Sequence, residues 1–437
     1  MPRRLPPLSE RSLLLLGGLA VLATIATGTA IRQTVGGLGT ATPPFVIVYE
    51  PEAALGWALL AFLIAALAAV AAPRLAAATA TGRTRWLCLT TLLALVPGLA
   101  LNAARHGTSG WSEIFVLGPG GSFEAKNEYL PGLPALSYGQ GFFLDRFAEL
   151  VPSLPVNVAG HPPALMLLID TFGLTTANRL AALCIAAAVL TPAVTYWIAR
   201  AVGLIEERAR LAAVLAALSP MLLLLGITSA DAVFMLVGAL TAALLADRRV
   251  PVRAVGCLAL AVAAFFSWAL LAIGAWAALL ALVREGWRTA LVLAAACGVA
   301  VLVFDGVLAL AFGYDPIGTL RATEAYYRNS AASVRPYTFW LFGSPTAFAA
   351  LLGLPTAAGL LLAARRRFPA GVALVSVIAI ASVAGFTKAE TERIWLPFVP
   401  LACVAAAEVL RPAQVRWIAP LMLLQALVVA LLFQTIW

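Results

Sequence analysis

FEAKNEYLPGLP (residues 123–134) and GHPPALMLLIDTFG (residues 160–173) lie in the one long polar interruption of a chain that otherwise reads as membrane. The interruption runs from Arg105 to about Phe172 and also holds WSE at 111–113 and FFLDRF at 142–147. A loop of this length inside a compact protein is usually functional or disordered. Its many aromatic and aliphatic residues argue for a folded, functional loop on a membrane scaffold.

The scaffold follows from composition. With 437 residues, 62% hydrophobic and 11% charged, and a mean hydropathy of +0.96, the chain is no ordinary soluble domain. Apolar runs of about 18 to 25 residues suit helices crossing about 30 Å of hydrocarbon. Ten-residue alternating strands of the outer-membrane kind are absent from the sequence, so the expected fold is an all-α polytopic membrane protein. The runs predict about thirteen spans, near 12–31, 54–72, 86–104, 175–200, 210–226, 230–246, 253–266, 267–283, 289–312, 345–363, 369–386, 396–410 and 417–434. The chain then divides into three N-terminal spans (1–104), the outer loop with short interfacial helices (105–174), a central bundle (175–312), a second outer loop (313–344) and a C-terminal bundle (345–437).

The net charge of +9 does not indicate nucleic acid, because no basic run is interleaved with aromatics on a polar domain. It sets orientation instead. With the N-terminus inside, Arg3, Arg4, Arg11, Arg74, Arg83, Arg85 and the other inner arginines make up 19 of the 29 Lys and Arg. The loops 105–174 and 313–344 and the turn 387–395 then face outward together. The N-terminal MPRRLPPLSER and its apolar run read as an uncleaved first span rather than a signal peptide. All five cysteines fall in apolar spans, which supports neither a disulfide framework nor a zinc cluster.

The outer loop concentrates acids: Glu113, Glu124, Glu128, Asp145, Glu149 and Asp170. They solvate an outer surface unless one is desolvated. Glu128, between Asn127 and Tyr129 and followed by Leu-Pro, is the candidate general base, since desolvation raises a carboxyl towards working pH. His161 opens a helix through Pro162 and Pro163 and either caps it or donates to a phosphate. Among outward cations, Arg393 lies beside Glu392 and Trp395, with Lys388 close by. Arg321, Arg328 and Arg335 accompany Tyr326, Tyr327, Tyr337 and Trp340. An aromatic belt explains most such Trp and Tyr. It does not explain outward arginines, whose forks suit phosphate oxygens.

NEYL (127–130), GHPP (160–163), NRLAAL (178–183), IAR (198–200), LSP (218–220), SAD (229–231) and ETERIWLPFVP (390–400), in that order, resemble the GT-C glycosyltransferases. These include protein O-mannosyltransferases, aminoarabinose transferases of lipid A, and actinobacterial envelope mannosyl- and arabinosyltransferases. The likeness covers roughly residues 105–410. It departs in having Asn127-Glu128 where several relatives carry Asp-Glu, and in placing the loop after the third span rather than the first. Glu50 and Glu52 of the small first loop are therefore rivals for the acid.

The resemblance implies a polyprenyl-phosphate sugar as donor and an envelope glycan, lipid or protein as acceptor, on the outer face of a bacterial plasma membrane. Glu128 would be the base. His161, Arg393, Lys388, Arg328 and Arg335 would hold the donor phosphate. Asn127, Tyr129, Glu113, Glu124, Tyr327, Tyr337 and Glu392 would bind substrate. No D-x-D and no Walker-type glycine loop is present. A divalent metal stays open: carboxylates are plentiful, but none has diagnostic ligand spacing. The alternative is a multi-pass transporter or lipid flippase working through Asp305. A third reading is a catalytically inactive relative that acts in complex assembly.

Overall fold

The computed structural model describes residues 10–34, 36–119 and 121–435, so Arg3 and Arg4 lie outside the described residues. The chain is almost wholly helical. The described strands are a single antiparallel pair, Val48–Tyr49 with Phe433–Gln434.

Every apolar run of the sequence folds as a helix, but not every helix is a full crossing. Among the described residues seven helices are long and apolar enough to cross a membrane, or eight if Tyr337–Leu352 and Leu354–Arg365 form one span bent by 117°. Seven or eight of the thirteen expected spans are thus full crossings by length and composition. The shortfall is one of length. Glu206–Ala217, Asp231–Ala246, Val250–Phe266, Pro369–Ala384 and Val399–Ala407 have 9 to 17 residues. At about 1.5 Å per residue, none reaches across about 30 Å unaided.

Burial separates inner from outer helices. Glu10–Thr34 and Trp287–Phe312 leave most of their apolar residues exposed, including Leu15, Leu19, Leu302 and Leu310, as suits a lipid environment. Val399–Ala407 is buried along its whole length, and Glu206–Ala217 from Ala209 onwards. They pack with Ala177–Val202 at the centre, where alanine lets backbones approach closely. At Gly371 a Cβ would stand 2.7 Å from the backbone nitrogen of Ala364, so the turn between Leu354–Arg365 and Pro369–Ala384 has no room for a side chain.

The polar interruption is folded. Prolines break it into short turns, among them Phe123–Asn127, Leu130–Leu136, Val156–Ala159 and Ala164–Thr171. It has its own apolar filling of Phe115, Phe143, Phe147, Val158 and Ile169, continuous with the main core. Ala164–Thr171 begins directly after Pro163 and is too short to span. Its Leu165 is fully buried, while Leu167 and Leu168 are half-buried against the bundle.

Replacing Gly371 by valine is expected to cost about 1–3 kcal/mol through overpacking against backbone. A lower melting temperature of the detergent-purified protein, followed by fluorescence-detected size exclusion, would register it, and an unchanged value would refute the contact.

Candidate functional site

Four remote segments place the site, each by its own local device. Ser122 caps the turn Phe123–Asn127 by accepting from Glu124 N at 3.1 Å, and the chain leaves it extended at Glu128 (φ −83°, ψ −175°). Pro155 starts the single turn Val156–Ala159, which carries Asn157. Asp231 opens the helix Asp231–Ala246; its backbone N–H donates to Ser229 Oγ at 3.1 Å, and Ser229 Oγ–H donates to Asp231 Oδ2 at 2.8 Å. Arg393 sits on the turn Thr391–Ile394, which follows two non-glycine residues in the left-handed region, Ala389 (φ 66°) and Glu390 (φ 58°). Such backbone costs of order 1–3 kcal/mol per residue and persists where surroundings over-determine it. Here Thr391 Oγ1 donates to Ser344 O at 2.7 Å, and Arg335 Nη1 donates to Lys388 O at 2.8 Å.

Arg393 is the hub. Its guanidinium lies 3.3 Å from Asp231 Oδ2, 3.2 Å from Glu390 Oε2 and 3.9 Å from Glu128 Oε1. Asn157 bridges acid and base: its Nδ2 donates to Glu128 Oε1 at 2.6 Å, and its Oδ1 accepts from Arg393 Nη2 at 3.4 Å. Glu390 in turn meets Arg335 Nη2 at 2.6 Å. Glu128 is 1% exposed, and its second oxygen is buried without a hydrogen-bond partner.

Burial pushes the Glu128 carboxyl up to about 8. Arg393 and Asn157 pull it down, while Asp231 adds repulsion. Glu390 goes the other way: burial opposes its charge, yet Arg393 and Arg335 hold its carboxyl below the ordinary range. Desolvation lowers the pKa of His161, so its ring is neutral near pH 7. Its Nδ1 lies 2.8 Å from the carbonyl of Asn157, which can only accept, so Nδ1 carries the proton and Nε2 a lone pair. The ring stacks on Phe234 at 4.8 Å. His161 Nδ1 also lies 3.4 Å from Tyr129 Oη.

The structure brings together Glu128, Tyr129, His161 and Arg393 of the expected residues, with Arg335 one step out through Glu390. Lys388 and Tyr327 border them, since Tyr327 Oη accepts from Lys388 N at 3.2 Å. Glu392 lies beyond Arg393, its carboxylate accepting from the backbone of Val46. Others are held elsewhere. Arg328 is exposed on its own helix and bound to Glu324 at 2.5 Å. Tyr337 donates to Val383 O at 2.6 Å. Asn127 is tied to Glu124 at 2.5 Å. Glu113 meets His106 at 2.7 Å, in a second cluster where Glu52 and Glu50 pair with Arg105.

Sequence reasoning gave no role to Asn157, Asp231 or Glu390. Asn157 has no signal of its own. Asp231 shows one: an acid between two long apolar runs, two residues after Ser229.

Chemically, the cluster offers a proton acceptor, Glu128 Oε2, beside a fixed positive charge. Two narrow crevices flank Arg393, one on the Glu128 side and one on the Glu392 side, and each has room for about one water molecule at most. Among the described residues no three of His, Cys, Asp and Glu converge as metal ligands. The carboxylates converge on the guanidinium instead. No family model, curated protein or solved structure matches this chain.

Arg393→Met is expected to destabilise the protein by about 3–5 kcal/mol at neutral pH, because Asp231 loses its only cationic partner among the described residues and Glu390 keeps Arg335 alone. Melting temperatures of wild type, Arg393→Met and Arg393→Met with Asp231→Asn would check it: the added Asp231→Asn should restore part of the loss, and a double variant no more stable than Arg393→Met would rule the ion-pair account out.

Proposed function

We propose that this protein is an inverting membrane glycosyltransferase. It would move a sugar from a polyprenyl-phosphate donor to a hydroxyl of an envelope glycan, lipid or protein. The observation that carries the reading is the buried pair of Glu128, with one oxygen unpartnered, and Arg393, 3.9 Å away. The acceptor hydroxyl gives its proton to Glu128 Oε2 as its oxygen bonds to the sugar C1. The C1–phosphate bond breaks, and its electron pair leaves on the polyprenyl phosphate, whose charge Arg393 offsets. Asp231 and Glu390 hold the guanidinium until the phosphate competes for it. Arg335 follows through Glu390.

In this reading the shorter apolar helices also cross, giving thirteen passes, an N-terminus in the cytoplasm and a site on the outer face of a bacterial plasma membrane. Outward loops rich in acids, and arginines concentrated on the other side, support that orientation. One observation favours transport as a second reading: the 117° break between Tyr337–Leu352 and Leu354–Arg365 resembles the discontinuous helices of transporters.

The test is turnover in liposomes with a panel of polyprenyl-phosphate sugars and an envelope extract, with released polyprenyl phosphate read by mass spectrometry. Glu128→Gln should lower release by about 10²–10⁴-fold, the usual worth of a general base, with folding intact. Equal release by wild type and variant would move the base elsewhere. Absence of release from every donor, with well-folded wild type, would favour transport.

The pH profile has a defined sign. Glu128 acts ionised, and its carboxyl is held near about 8. Below that pH the ionised fraction falls about tenfold per unit, so kcat/KM should climb towards pH 8 and level above it. A profile flat from pH 6 upward would remove Glu128 as the base.

A further inference from the structure

The helix Asp231–Ala246 starts at the Arg393 site and ends, about 24 Å away, at a second cluster of charges. There the ends of four helices meet: the close of Asp231–Ala246, the start of Val250–Phe266, the close of Leu271–Glu285 and the start of Trp287–Phe312. They carry Arg248, Arg249, Arg253, Arg284 and Arg288 against two acids, Asp247 and Glu285. Both acids are taken. Arg249 Nη2 lies 2.7 Å from Asp247 Oδ2, and Arg253 forks onto Glu285 at 2.9 and 2.6 Å.

Two arginines are left over. Arg284 is half-buried, and among the described residues it has no ion pair, only a bond from Nη1 to the carbonyl of Ala246 at 3.4 Å. Arg248 comes no closer than 3.9 Å to Glu285, which Arg253 already occupies. Arg253 Nε is buried without an acceptor. The next acid, Glu408, acts on Arg284 only at longer range. Guanidinium donors thus outnumber acceptors in a partly desolvated corner, a shortfall that an anion makes good. A rule that puts arginines into watery loops does not explain a half-buried one without an acid. Beside the charges, Val250, Val283, Trp287 and Leu291 are exposed, and Arg288 lies 5.5 Å from the Trp287 ring.

We propose that this corner binds the phosphate of an anionic phospholipid, with Arg248 and Arg284 as its contacts, the Arg253–Glu285 pair as their support, and Trp287 and Leu291 as a wall for an acyl chain. Arginine forks match phosphate oxygens, and a basic pocket between helix ends at a membrane face suits a lipid headgroup. The charge balance selects a lipid of net negative charge. A zwitterionic headgroup would bring a further cation to five arginines that already face two acids. The exposed apolar strip selects a lipid over a free phosphate ion, which would leave that strip unused. Asp231–Ala246 and Val250–Phe266, with 16 and 17 residues, are too short to reach across by themselves. A headgroup held between their ends anchors the helix whose other end carries Asp231. The proposal does not depend on which reaction takes place at Arg393.

The test uses the full-length protein in a neutral detergent. Its melting temperature is followed as dioleoyl phosphatidylglycerol, dioleoyl phosphatidylcholine or sodium glycerol 1-phosphate is titrated in, and retained lipid is read by native mass spectrometry. Phosphatidylglycerol should raise the melting temperature and stay bound, and the other two should do neither. The mole fraction that gives half the rise should increase about fivefold in Arg248→Gln and about 25-fold when Arg284→Gln is added, the usual worth of an arginine near an anionic headgroup. Arg248 is 63% exposed, so its single variant reports binding without disturbing the packing. Arg416→Gln, at an exposed arginine of Val415–Leu432, should leave the response unchanged. No rise with phosphatidylglycerol, an equal rise with phosphatidylcholine or glycerol phosphate, a response that survives both substitutions, or one that Arg416→Gln weakens as much as Arg248→Gln would each overturn the site.

Discussion

A guanidinium taken out of water is tolerated only where acids and amides surround it, and Arg393 meets that condition with groups from three other parts of the chain. Glu128 and Asn157 come from the polar interruption, Asp231 from the start of a central helix, and Glu390 from Arg393's own turn. Arg335, through Glu390, adds the segment after Trp287–Phe312. The site and the docking of the outer segments are therefore one constraint.

The charge balance explains which groups are left reactive. Four carboxyls, Glu128, Asp231, Glu390 and Glu392, share two arginines. Asp231 and Glu390 take the short contacts. Glu128 and Glu392 are left with a neutral amide and a backbone N–H as their nearest hydrogen-bond donors, and each keeps one buried oxygen without a partner. They are also the two that burial raises, to about 8 and about 7. They line different crevices, one on each side of Arg393. Two under-satisfied acids thus stand on either side of one arginine.

The sequence made the scaffold type and the two principal residues legible, for identifiable reasons. Mean hydropathy and run length require membrane helices whatever their packing, and Glu128 and Arg393 stand out as charges in apolar settings. Crossing number was less legible, because a buried apolar helix such as Val399–Ala407 has the composition of a span without its length. Asn157 could not be read, since its role depends on Arg393, 236 residues away. Arg328 and Arg335 looked alike in one aromatic-rich stretch, yet one is bound to Glu324 in open surroundings and the other is buried on Glu390. The Glu324–Arg328 spacing of four on a helix was the visible clue to the first. Nothing local marked the second.

The turn that carries Arg393 is itself held by one other stretch of the chain. The left-handed backbone at Ala389 and Glu390 is pinned by Ser344, Tyr327 and Arg335, all from the chain between Gly313 and Leu352. The segment 38–49 rests on the same region, with Leu38 on Trp340 and Gly39 against Arg335. At Gly39 (φ 72°) a Cβ would come within 2.7 Å of Arg335 Cγ, so the close approach depends on glycine there. Arg335 thus touches that segment, the strained turn and Glu390 at once.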